Sequence, residues 1–128
     1  MSWEHELTLY LLLGTFGISL LLPGLTGMFK PSTGLVWLVA EETDARSHLR
    51  GLNAMMAALG ALALFACIDL VRFRLLVIAI GVVLTFLVVA RIHSLIVDGL
   101  PGPATRLYLA VEVVTAAVFL LWPPVSGS

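Results

Sequence analysis

Charge is scarce in this chain. Of its 128 residues only 12% are Asp, Glu, Lys or Arg, where a soluble domain carries about 25%, too few to coat a surface for water. Seven Lys and Arg stand against eight Asp and Glu, a net charge of −1. No basic stripe exists to neutralise phosphates, which argues against nucleic acid as a partner. Cysteine is nearly absent too. The single Cys67 excludes an intramolecular disulfide and any CxxC site, and within its apolar run it reads as a small buried hydrophobe. The start of the chain lacks the basic region and small-residue site of a cleaved signal, having Glu4, His5 and Glu6 instead, so no cleaved leader is expected.

What the chain has in abundance is apolar length: 60% of its residues are hydrophobic and the mean hydropathy is +1.08. Four runs are predicted to be helices, about 7–22, 49–70, 75–97 and 104–122. Pro23-Gly24 closes the first, Arg72-Phe73-Arg74 follows the second, Asp98 to Pro103 stops the third, and Pro123-Pro124 forbids further helix after the fourth. Each approaches the roughly 20 residues that cross a hydrocarbon core of about 30 Å. So short a chain cannot bury four such helices within itself. The expected fold is an all-α membrane protein, residues 1–128 forming one domain: an antiparallel four-transmembrane-helix bundle with a long first loop.

Short connections make successive helices antiparallel, which puts both termini on one side with the Arg72/Arg74 turn. The first loop and the Asp98–Pro103 turn fall on the other. Trp3 and Trp122 sit at the first boundary and Trp37 and Tyr108 towards the second, as an aromatic belt places them. Gly34 to Ala40 reads as an interfacial or re-entrant stretch, and Thr43-Asp44 as the start of the second helix. Arg72 and Arg74 on one side balance Lys30, Arg46 and Arg106 on the other too evenly for a positive-inside orientation.

Two charges lie inside the spans. Arg91 is six residues from the end of the third helix, roughly 9 Å deep at 1.5 Å per residue, and Glu112 reaches a similar depth on the antiparallel fourth. An unpaired charge there is costly, so each is expected to find the other. Arg91, Ser94 and Asp98 form one helical stripe; Thr105, Tyr108, Glu112 and Thr115 form another. On the second helix Arg46, Arg50, Asn53, Ala57 and Gly60 make a seam that is polar at one end and small at the other, and Gly14 and Gly17 offer the first helix a flat face for close packing. The expected polar cluster is Arg50, Asn53, Arg91, Ser94, Asp98, Tyr108 and Glu112. A cavity is expected among Arg50, Asn53, Arg91, Asp98, Tyr108 and Glu112. The same Arg–Glu pair can also act only to fix helix register. Neither a nucleophile–base set nor a repeated metal-ligand spacing is present, and no cofactor is expected. His48 and His93 are the sole candidates for ligating one.

The run Arg50-Gly51-Leu52-Asn53-Ala54-Met55-Met56, the run Arg91-Ile92-His93-Ser94-Leu95-Ile96-Val97-Asp98-Gly99-Leu100-Pro101, and then Glu112 resemble a bacterial family of small four-helix membrane proteins. That family is known as a domain of unknown function and is loosely similar to the DoxX-like proteins. Asn53 and Met55-Met56 stand where the family pattern is glycine-rich. The resemblance implies a four-helix fold in a bacterial inner membrane, and no reaction.

Three functions remain open on the sequence. The first is a non-enzymatic membrane protein, either an accessory subunit of a membrane complex or a binder of a lipid-like ligand through the polar cluster. Its partners would be membrane lipids and a larger assembly or further copies of itself. The second is a small transporter or proton-linked carrier using Glu112. The third is a cofactor-carrying membrane protein using His48 and His93.

Overall fold

The computed structural model describes residues 1–30 and 43–125. Four α-helices account for most of them: α1 Trp3–Phe29, α2 Thr43–Ala66, α3 Arg74–Val97 and α4 Pro103–Leu121. No strand occurs among the described residues. All four are long and apolar enough to cross a membrane, and between 17% and 33% of each apolar window is buried within the chain. The remaining apolar surface needs lipid to cover it. The all-α membrane fold read from the sequence therefore stands, as does the long first connection, from Phe29 to Thr43. Trp37 and the Gly34–Ala40 stretch lie outside the described residues.

The second half of the chain agrees with its predicted boundaries to one residue. Pro103 occupies the first position of α4, where its missing N–H costs nothing, and Gly102 precedes it in extended conformation. Gly99, at φ +99°, makes the bend after α3.

The first half corrects two of them. The expected stop at Pro23-Gly24 does not occur, because Pro23 lies inside a 27-residue helix. Proline removes the bond to the Ser19 carbonyl, yet a neighbouring helix can hold a proline-containing helix together inside a membrane. Here Gly24 lies against the backbone of Asn53 and Ala57. The Thr26 hydroxyl donates to the Pro23 carbonyl at 3.0 Å. The second helix starts at Thr43 as its cap signal indicates, but ends at Ala66 rather than Leu70. Its last turn tightens through Cys67 N–H to Leu64 O and Ile68 N–H to Phe65 O, both 3.1 Å. Asp69 then forms a turn: its Oδ1 accepts from the Arg72 N–H at 3.2 Å and its carbonyl from the Phe73 N–H at 3.0 Å. The apolar flanks Ile68 and Leu70 mask this aspartate-held turn in the sequence.

The chain divides into two compact units, one of residues 10–68 and one of residues 1–9 with 69–128. In the first, α1 and α2 run antiparallel at backbone contact. A Cβ on Gly60 would lie 2.5 Å from the Gly17 carbonyl oxygen and 2.6 Å from the Leu21 nitrogen. Gly17 thus fulfils the flat-face expectation; Gly14, with nothing within 4 Å of its Cβ position, does not. In the second unit α3 and α4 are antiparallel, with Gly81 against Phe119 and Leu120. Val77, Ile80, Leu84, Ala116 and Phe119 are buried there.

Candidate functional site

The second unit also holds the charged pair. Arg91 Nε donates to Glu112 Oε2 at 2.7 Å, with the two side chains 33% and 15% exposed. Antiparallel packing of α3 on α4 brings the two residues level, as the sequence depth implies. The bond uses only the Nε–H; the four N–H groups on Nη1 and Nη2 have no acceptor among the described residues. One turn further along α3, the Ser94 hydroxyl donates to Asp98 Oδ2 at 2.8 Å. Arg91 and Ser94 line a half-open recess of about 60 Å³, completed by Leu95, Pro101, Thr105 and Leu109.

The bonds and burial of Tyr108, Arg50 and Asn53 are each defined within their own unit. Tyr108 is 53% exposed and does not line the recess. Thr115, on the same stripe, is buried and donates to the Val111 carbonyl of its own helix at 2.7 Å. Arg50 and Asn53 belong to the α1–α2 unit. Arg50 Nη1 donates to the Met28 and Phe29 carbonyls at 3.0 and 2.7 Å, occupying acceptors left open at the end of α1. Asn53 is fully buried and its Nδ2 donates to the Leu49 carbonyl at 2.9 Å. The recess therefore shares Arg91 with the expected cavity and takes Pro101 from the α3–α4 turn and Thr105 from the first turn of α4.

His48 and His93 are exposed and sit in different units. No group of three or more His, Cys, Asp or Glu that could hold a metal occurs among the described residues. Cys67 is half-buried, with its thiol 3.6 Å from the Ala63 carbonyl.

The histidine with defined partners is one the sequence reading passed over. His5 is 3% exposed and its ring stacks on Trp122 at 4.1 Å and 5°. Its Nε2 lies 2.6 Å from the Trp122 carbonyl, an acceptor at the C-terminal end of α4 that the helix itself cannot satisfy. Ser2 Oγ accepts from the His5 N–H at 3.2 Å and caps α1. A signal was present: His5, Leu9, Leu13 and Gly17 continue one buried stripe at four-residue spacing.

The model of the family described as a domain of unknown function (DUF4345) matches residues 8–123, from the second turn of α1 to just past α4. No curated protein and no solved structure matches the chain.

Proposed function

The chain belongs to that family of unknown function, and we propose that it is a non-enzymatic membrane protein that holds the polar head of a lipid-like ligand in the Arg91 recess. It would do so alone, as a homo-oligomer, or as an accessory subunit of a larger membrane assembly. The observation that carries this reading is the state of Arg91. An arginine near a helix end normally extends its head to the interface. Here Glu112 holds the Nε at 2.7 Å, so the guanidinium stays at the depth of the pair with four N–H donors still to be satisfied.

The size of the recess supports a tethered ligand over a captured solute. Pockets that enclose a small molecule measure roughly 300–1,000 Å³; this one is about 60 Å³. It suits one polar group of a molecule whose body lies outside, as acyl chains in a bilayer would. Glu112 is engaged with Arg91, which favours binding over a proton-linked carrier. We place the chain in a bacterial inner membrane on the strength of the sequence resemblance. The His5–Trp122 contact supports a common side for both termini. Cysteines at Ser2 and Ser126 should then be labelled from one side and at Ser32 from the other.

The binding test is retention of phospholipid by the detergent-purified protein, counted by native mass spectrometry. Leu109→Trp, which fills the recess while leaving Arg91 and Glu112 themselves unchanged, should lower retention several-fold at an unchanged melting temperature. Equal retention by the two proteins would end the proposal.

A further inference from the structure

The hydrogen-bonding groups at the recess are of two kinds. Arg91 supplies unpaired donors, and the Thr105 hydroxyl makes no bond among the described residues. By contrast, the hydroxyls of Thr8, Thr85 and Thr115 each donate to the carbonyl four residues back. For Thr105 that position is Pro101, in the turn rather than on a helix. Arg91 therefore offers donors to an anion. Ser94 gives its proton to Asp98, so its oxygen is left to accept, and the Asp98 carboxylate, outside the lining of the recess, stands 2.8 Å from it. Ser94 and Asp98 offer acceptors to a cation. Arg91, Glu112 and Asp98 together leave one net negative charge, which disfavours a ligand that is only anionic.

Building on the lipid-head reading, we propose that the recess recognises a zwitterionic phosphoethanolamine head. Its phosphodiester lies on the Arg91 Nη groups and the Thr105 hydroxyl, and its ammonium lies on Asp98 and Ser94. Charge-assisted bonds of both kinds are the stronger class. A planar guanidinium presents a fork of N–H groups to two phosphate oxygens. A primary ammonium has three N–H donors for Asp98 and Ser94, whereas a trimethylated choline has none. A glycerol head carries no cation at all. The phosphodiester can come from a membrane lipid or from a soluble phosphoethanolamine ester, and the small recess favours the lipid.

The test mixes the full-length protein in detergent with equal amounts of phosphatidylethanolamine, phosphatidylcholine and phosphatidylglycerol, and counts bound lipid by native mass spectrometry. Ethanolamine lipid should be retained about tenfold over the other two, the difference expected for roughly one charge-assisted bond. Asp98→Asn and Ser94→Ala, both at exposed positions, should bring ethanolamine and choline lipids to parity. Thr105→Val should weaken all three equally. Retention without preference, or a preference that survives Asp98→Asn, would overturn this inference while leaving the lipid-binding reading intact. No retention of any phospholipid would remove both. Soluble glycerophosphoethanolamine displacing the lipid at matched concentration would overturn the membrane source.

Discussion

Between α1 and α2 backbones meet, whereas between α3 and α4 side chains do. The first pair closes on Gly17, Gly24, Ala57 and Gly60, and its polar side chains Arg50 and Asn53 serve the backbone of their own unit. The second pair closes on Phe119, Leu120 and Gly81 at one end and on Arg91–Glu112 at the other, beside an open recess. In a membrane, where lipid is as apolar as leucine, small residues allow close van der Waals contact and polar residues supply directional bonds. The chain uses one device in each hairpin. Close backbone packing leaves no space for a ligand at these glycines, whereas the side chains between α3 and α4 leave a recess beside the ion pair.

The largest expected effect tests the close contact. Gly60→Ala places a methyl 2.5 Å from a backbone oxygen that cannot rotate away, and should cost about 3 kcal/mol. Gly81→Ala meets side-chain atoms of Leu120 and Phe119 at 3.0 Å, which can shift, so it should cost about 1 kcal/mol or less. Thermal unfolding in detergent measures both. Equal losses would mean that the two hairpins do not differ in this way.

Next comes the ion pair. Arg91→Met and Glu112→Gln should each destabilise by about 2 kcal/mol, because each strands a partner inside the span. The double variant should lose at least about 1 kcal/mol less than the sum of the two. Strict additivity would deny the bond.

The fold and the charged pair were legible because both follow from simple costs. Apolar length dictates spans, and depth along antiparallel helices brings Arg91 to Glu112. Helix ends in the first half were harder to read. Pro23 does not stop a helix that packs closely on a neighbour at the next residue, and Asp69 turns the chain inside an apolar run. Arg50 and Asn53 lie on one stripe at a polar end, which reads as a pocket wall. The α1 carbonyls that Arg50 serves come from residues more than twenty positions away, and no periodicity on α2 reveals them. The recess has the same difficulty, since the Gly99 and Gly102 backbone that brings Pro101 and Thr105 beside Arg91 is invisible to helical spacing.

A smaller effect belongs to His5. Replacing it with Ala removes the bond to the Trp122 carbonyl and the ring stack, together about 1–2 kcal/mol. The loss should appear first as faster amide exchange in the last turn of α4. His5→Gln, which restores a donor without the stack, should recover part of the protection. Exchange unchanged in both variants would show that the C-terminal turn of α4 holds without this contact.

The smallest expected effect is at Arg50, and it separates a cap from a site. If the guanidinium serves mainly the Met28 and Phe29 carbonyls, Arg50→Ala should cost about 0.5–1 kcal/mol, the net value of an exposed hydrogen-bonded cap. Lipid retention should not change, because the recess is built from α3, α4 and the turn between them. Arg50→Lys keeps a donor and a charge near the same carbonyls, and should restore most of the stability. The contrast with Thr105→Val is then diagnostic: that change should leave stability within about 0.5 kcal/mol while lowering retention. Loss of lipid on Arg50→Ala at unchanged stability would reverse the assignment. It would make the α2 stripe part of the binding surface, as its polar end suggests when the sequence is read alone.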